Sequence, residues 1–256
     1  MSSDHVEHIR SQFTRQAQAY ADTAQAKDDG AHAKLVTLLA PDANARVLDV
    51  ACGPGYLTLA FAARCADVVG IDATDALLDI ARTNARTRSV GNVRFDSGDA
   101  TALPYADGEF DVVVCRAAFH HFPNPGRVLG EMARVVRAGG TVAVADIVTS
   151  PNPQFARTHN AIERLCDPTH VRALPADQLR ALFIANDLDV TADRPGQMHY
   201  ALTEWIAHGG PDAAAEEEIR RRFTAALAND ETGLDVREEG GDVRFTHQTL
   251  LLVGGR

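Results

Sequence analysis

An apolar strand that runs into a two-glycine turn and then directly into a helix leaves a chain few folds to adopt. Val47-Leu48-Asp49-Val50-Ala51-Cys52-Gly53-Pro54-Gly55-Tyr56 has that form. Glycine turns tightly and lets a ligand come close to the backbone. A ligand is therefore expected at the carboxyl end of this strand, against the helix N-terminus. A dinucleotide fold prefers a third glycine at position 58, where strand and helix pack, but this chain has Thr58. Asp49 also precedes the loop, where it would repel pyrophosphate oxygens. A carboxylate there suits a ligand that carries an ammonium and a sulfonium.

Around this segment, short apolar runs alternate with helical patterns. Residues 4–38 read as two helices, the first with an amphipathic stripe of Ile9, Phe13, Ala17 and Tyr20. Strands are expected over Ala45–Val50, Asp67–Ile71, Val93–Asp96, Phe110–Cys115 and Thr141–Ile147. Helices are expected over Tyr56–Ala63, Ala76–Arg88 and Arg127–Val136, the last closed by a glycine turn at Arg137-Ala138-Gly139-Gly140. The strands lack polar alternation, as strands buried on both faces do, and their alternation with helices implies right-handed crossovers and a mostly parallel sheet. Beyond Ser150 the pattern loosens. Helices are expected over Phe155–Arg164 and Ala176–Asn186, a sixth strand over Leu188–Thr191, helix over 201–230 and a last strand over Val243–Val253. The fold class expected is α/β: a doubly wound, seven-stranded, mostly parallel sheet with N-terminal helices and a helical cap insertion over about 195–240. All 256 residues are read as one domain, with 1–40 as a helical lid, 41–150 as the ligand-binding core and 151–256 as the substrate side.

The formal net charge of −10 argues against a nucleic-acid partner, which needs a basic face. Arg220-Arg221-Arg222 follows Glu216-Glu217-Glu218, and at helical spacing these make i,i+4 pairs on a solvated face. No apolar run is long enough to span a bilayer, and Met1-Ser2-Ser3-Asp4-His5 lacks the layout of a secretory signal, so a cytoplasmic protein is expected. Cys52, Cys65, Cys115 and Cys166 show neither paired spacing nor a zinc pattern and read as reduced, mostly buried thiols. No histidine pair has the i,i+4 spacing with a glutamate of a helical zinc site, so no metal is expected.

Two further acids end strands. Asp72 closes Val69-Gly70-Ile71-Asp72, where a carboxylate can accept from both hydroxyls of a ribose. Asp99 follows in Ser97-Gly98-Asp99-Ala100, where one can accept from an adenine amine. The ordinary alternative for each is a helix N-cap or a turn aspartate.

With these motifs the chain resembles the class I S-adenosylmethionine-dependent methyltransferases. Within them it is similar to the methyltransferase type 11 group, which includes the ubiquinone and menaquinone C-methyltransferases. The likeness rests on Val47–Gly55, Gly70-Ile71-Asp72, Gly98-Asp99-Ala100 with Leu103-Pro104-Tyr105, Phe110-Asp111-Val112-Val113 and Arg134-Val135-Val136-Arg137-Ala138-Gly139-Gly140, in the family's order over residues 40–150. The Phe13…Ala17…Tyr20 pattern and Asp167-Pro168-Thr169-His170 resemble a bacterial small-molecule subgroup of the YcgJ type. The resemblance implies S-adenosyl-L-methionine as cofactor, S-adenosyl-L-homocysteine as product, and an antiparallel last strand. It also implies that Asp49, Gly53 and Gly55 hold the methionine end, with Tyr20 as a lid over it. Asp72 and Ala73 would bind the ribose, Asp99 and Ala100 would frame the adenine, and Arg116 would contact the cofactor or close the site.

Methyl transfer needs the accepting atom in line with the methyl group and water excluded, and a base only where the acceptor must lose a proton. His120 and His121 follow the fourth strand at the rim where an acceptor would sit, and either is a candidate base. The alternative is a histidine that caps the strand and packs on Phe119, Phe122 and Pro123. Asp146 ends the fifth strand at the same rim, to orient a substrate or a histidine, or to satisfy a backbone amide. His170 and Arg172 are candidates for an anionic or phenolic substrate, against a plain surface loop. Tyr20, Phe155, Met198 and Trp205 offer an apolar lining, which points to an aromatic, quinone-like or polyketide-like small-molecule acceptor. The protein is expected to be a monomer or a homodimer. Two rival readings are a cofactor-binding protein of the same fold without transfer and a nicotinamide-dependent oxidoreductase. Thr58 and the lack of a Tyr-x-x-x-Lys pair oppose the second.

Overall fold

A computed structural model describes residues 3–22 and 27–256 of the chain. Two helices, α1 (Ser3–Ala21) and α2 (Asp29–Leu39), precede the first strand. There follow β1 (Arg46–Val50), α3 (Tyr56–Ala62), β2 (Asp67–Asp72), α4 (Asp75–Thr87), β3 (Val93–Ser97), β4 (Phe110–Arg116), α5 (Pro125–Val135) and β5 (Val136–Val148). The second part comprises α6 (Pro153–Cys166), α7 (Ala176–Ala185), β6 (Asp189–Ala201), α8 (Leu202–Gly209), α9 (Ala213–Ala228), β7 (Arg237–Glu239) and β8 (Asp242–Gly255).

The strands form one sheet in the order β3-β2-β1-β4-β5-β8-β6, with β7 paired to β8. The first five are parallel, and β8 runs antiparallel to each of its neighbours β5, β6 and β7. Strand order reverses between β1 and β4, and in open α/β sheets the crevice at such a reversal, outside the carboxyl ends, takes the ligand. Alternate residues of each strand feed opposite cores. Leu48, Val50, Val113 and Cys115 pack with α5 and α7 on one side, while Val47, Val112 and Val114 pack with α2 and α3 on the other. All of them are buried, which is why the runs read as unbroken apolar segments. A separate cluster, with Ile162, Trp205, Ile219, Phe223 and Phe245, joins α6, α8 and α9 to the far end of β8.

Gly55 shows why the loop needs glycine. Its φ is +79°, and a Cβ there would lie 2.8 Å from Ala81 Cβ and 2.9 Å from Phe95 Cε1. The start of α3 could not close on α4 and β3 over a larger residue. Gly55→Val is expected to destabilise the fold by about 2–4 kcal/mol, combining left-handed strain with overpacking. Equilibrium urea denaturation checks this, and an unchanged midpoint would contradict it.

Several expectations need correction. Residues 137–140 do not close α5. The helix stops at Val135, Val136 is already extended, and Gly139 and Gly140 lie within β5. There the Gly139 N–H donates to the Arg256 carbonyl (2.8 Å), and a Cβ on Gly140 would meet the Asp111 carbonyl at 2.8 Å, so these glycines serve strand pairing. The sixth strand extends to Ala201, through Pro195 and Gly196. It is the sheet edge, where proline costs no ladder bond. The 201–230 helix is two helices, split at Gly210 (φ +60°) before Pro211. An unforeseen β7 forms a hairpin with β8 through Gly240-Gly241, both left-handed, which makes eight strands among the described residues where seven were expected. Residues 202–241, between β6 and β8, hold α8, α9 and β7. On α9, Arg220 pairs with Glu216 (2.8 Å) and Arg222 with Glu218 (2.7 Å), as their spacing predicts. All four cysteines are buried and unbridged, and among the described residues no helix is long and apolar enough to cross a membrane.

Candidate active site

The carboxyl ends of β1, β2 and β3 open into a cleft of about 660 Å³. Its floor is Ala51, Gly53, Asp72, Ala73 and Ala100, and Phe13 and Tyr20 of α1 cover it. Asp72 is buried and sits between two loops. Its Oδ2 accepts from the Gly53 N–H (2.9 Å) and its Oδ1 from the Thr74 N–H (2.8 Å). The carboxylate therefore ties the glycine turn to the start of α4, and burial raises its pKa. Arg10 locks α1 to the same corner, its Nε donating to the Ala73 carbonyl (2.8 Å). No sequence signal marks Arg10, a polar residue on a helix whose partner is tertiary.

Asp49 lies deeper. Its Oδ2 accepts from the Thr58 hydroxyl at 2.7 Å, so the residue that replaces the dinucleotide glycine is a partner for the acid. Burial raises the Asp49 pKa to about 7, the Thr58 hydrogen bond opposes this, and the charge of Asp72 adds to it. Asp49 shares a recess of about 360 Å³ with Tyr20, His32, Gly53 and Arg116. Burial pushes the Tyr20 hydroxyl up to about 12. Asp99 turns to its own loop, accepting from the Thr101 N–H and hydroxyl (both 2.8 Å), and its neighbours Gly98 and Ala100 line the cleft instead.

The next stretch of rim is built by the short turn Phe119–His121 after β4 and by Asp146 on β5. His120 Nδ1 lies 2.7 Å from Asp146 Oδ1, and the His120 N–H donates to Asp146 Oδ2 at 3.1 Å. Burial alone would lower the His120 pKa, but the Asp146 charge and hydrogen bond outweigh it, and the net shift is upward. His121 moves the other way, lowered by burial and by the charge of His120. Its Nδ1 faces the Thr169 carbonyl (3.2 Å) and hydroxyl (3.1 Å), and its ring meets Phe13 edge-on at 5.5 Å. A cavity of about 720 Å³ lies beyond, lined by Phe13, Tyr20, His120, His121, Glu163 and Trp205. Asp146 and Met198 line an adjoining opening with Arg116.

Two substrate candidates are not brought to these cavities. His170 is buried, with Nε2 2.7 Å from Asn160 Oδ1 and its ring 5.3 Å from that of His120, which it backs. Arg172 is exposed and lines none of the cavities, and its N–H donates to the His120 carbonyl at 3.0 Å. Phe155 sits against Gly233 rather than the site. Glu163 of α6 also lines the cavity beside His120, and no motif in its helix marks it.

The cleft fits S-adenosylmethionine on its own features. Left-handed residues at Ala51 (φ +57°), Gly53 (+53°) and Gly55 (+79°) open the loop backbone to a ligand. The recess also pairs a buried acid with a guanidinium, opposite charges matched to an amino-acid zwitterion. The methyltransferase domain family matches residues 41–189, and the chain belongs to the class I methyltransferases, enzymes that use S-adenosylmethionine. It is similar to the uncharacterised methyltransferase YcgJ of Bacillus subtilis, with 31% identity over 94% of this chain and 96% of the relative. The crystal structure of that protein superposes with a TM-score of 0.83 at 29% identity, covering 88% of this chain and 97% of the other. The demethylmenaquinone methyltransferase of Clavibacter sepedonicus is 27% identical over 67% of each chain.

Proposed function

We propose that the protein transfers a methyl group to a small aromatic or quinone-like acceptor held in the cavity beside His120, and that His120 and Asp146 act together on the acceptor's proton. The 2.7 Å His120–Asp146 contact at the rim carries the reading. S-adenosylmethionine, when bound, supplies a methyl group already activated for displacement by its sulfonium. Asp146 holds the Nδ1–H of His120 and leaves Nε2 to take a proton from the acceptor's hydroxyl or acidic carbon, the division of labour of an oriented histidine base. The neutral His121 and the rings of Phe13, Tyr20 and Trp205 wall the cavity and exclude water. Asp49, Gly53, Gly55 and Arg116 would hold the methionine end under Tyr20. Asp72 and Ala73 would take the ribose, with Ala100 beside the adenine and Asp99 shaping that loop. In this reading all 256 residues act as one unit, α1 closing the cofactor side and residues 202–241 the acceptor side. The quinone-like class is supported by the relatives that methylate demethylmenaquinone. The test is incubation with S-adenosylmethionine and a panel of phenols, hydroquinones and 1,3-dicarbonyl compounds. Acceptor-dependent S-adenosylhomocysteine and a product heavier by one methylene support the reading. Tight cofactor binding with no turnover on any of them contradicts it.

The raised Asp49 pKa makes cofactor binding pH-dependent. Below about 7 the empty site holds a protonated, neutral acid. A cationic amino group favours the ionised form, so binding must expel a proton there. S-adenosylhomocysteine affinity is expected to fall by up to about tenfold per pH unit below that point and to level off above it. Calorimetric titrations in buffers of different ionisation enthalpy read the proton directly, and a flat profile would contradict the assignment.

A further inference from the structure

We propose a second site in this protein: His159, Glu163 and His247 bind a divalent transition-metal ion at the wall of the acceptor cavity. His159 and Glu163 stand one turn apart on α6, on the same face, and His247 reaches them from β8. Glu163 Oε1 lies 2.8 Å from His247 Nε2 and 3.5 Å from His159 Nε2. All three residues are more than nine-tenths buried (His159 1%, Glu163 7%, His247 3% exposed). The three converging atoms are shielded from solvent and none is aligned with a hydrogen-bond partner. The three possible ligand atoms all lie within 4.8 Å of one another.

The two rings stand 5.3 Å apart and nearly parallel, at 11°, and Tyr200, Trp205 and Phe245 surround His247, so two imidazole nitrogens and a carboxylate oxygen meet in an apolar place. A single divalent cation serves all three atoms at once. Two imidazoles and one carboxylate suit Zn²⁺ and its first-row neighbours rather than Mg²⁺ or Ca²⁺, which take oxygen donors. Three protein ligands also leave coordination positions open. Glu163 itself lines the cavity with His120 and His121, which puts the ion at the wall of the acceptor cavity. This last step rests on the acceptor-cavity reading above, and it selects an acceptor with a hydroxyl or carbonyl oxygen able to reach the ion.

The test uses the full-length protein stripped with a chelator and titrated with Zn²⁺ without cofactor or acceptor, so its outcome is independent of methyl transfer. One ion per chain is expected, at micromolar or tighter affinity. His247→Ala and Glu163→Gln should each weaken it by roughly a hundredfold or more, and His199→Gln, outside the cluster, should not. Because loss of a buried ligand can unfold the chain, Co²⁺ loading of the unaltered protein is the second readout, with intensified visible bands of a low-symmetry nitrogen–oxygen site expected. No saturable binding, binding indifferent to these substitutions, or a spectrum equal to aqueous Co²⁺ would overturn the proposal.

Discussion

Asp72→Ala is expected to weaken S-adenosylhomocysteine binding by about a hundredfold or more. The carboxylate holds two backbone N–H groups, of Gly53 and Thr74, and faces the cleft between them. Alanine leaves both donors unpaired in a buried place and removes the acceptor offered to a ribose. A hydrogen bond to a charged group is worth about 1.5–3 kcal/mol, so the loss of even one on the ligand side accounts for an order of magnitude. The effect should divide in two. Urea denaturation would show a moderate loss of stability from the untied loops, and titration calorimetry the larger loss of affinity. Asp72→Asn keeps the shape but sets a donor against one of the two N–H groups, so it should recover only part of the stability and little of the affinity. Equal affinity for Asp72→Ala and the unaltered protein would mean that the cofactor sits elsewhere.

Removing the proposed base should act on rate instead. His120→Ala is expected to lower kcat by about 10²–10⁴-fold while leaving S-adenosylhomocysteine binding intact. Asp146→Asn gives a sharper test, because it separates position from charge. The Asp146 carboxylate lifts the His120 pKa against burial, which alone would lower it. The base works only when deprotonated, so activity rises with pH through that pKa. Loss of the carboxylate lowers the pKa, and the acid limb of the pH–rate profile should move to lower pH even as the maximum rate falls. NMR titration of the His120 ring reads the same shift without any acceptor. A limb that stays in place would show that Asp146 serves the backbone alone. The Ile147 N–H also donates to it, at 2.6 Å, so that outcome has a physical basis.

The cofactor half of the molecule was legible in the sequence because burial on both faces leaves the strands apolar from end to end. Val47–Val50, Val68–Ile71 and Val112–Cys115 have no polar residue except Asp49, and that exception lies buried against the Thr58 hydroxyl. The acids at strand ends were legible for the same reason: a charge that ends an apolar run needs a partner. The part beyond β5 was not. β6 is an edge strand with mostly exposed residues, so it lacks the apolar pattern, and its Pro195 reads as a break. β7 is three charged residues. Asp146 could be placed at the rim from β5, but its choice of His120 over a substrate depended on how the turn after β4 folds back. The cluster of His159, Glu163 and His247 was invisible because a search along one helix cannot find a third member on a distant strand. Arg172 illustrates the converse: it stands two residues from His170, yet loop geometry sends its side chain to solvent.

Titration of the purified protein with S-adenosylhomocysteine and, in parallel, NAD tests the central claim most directly. Binding of S-adenosylhomocysteine alone, adding roughly 2.7 kcal/mol of stability at a hundred times its dissociation constant, is the predicted result. Stabilisation by NAD but not by S-adenosylhomocysteine would contradict the account and return the glycine loop to a dinucleotide.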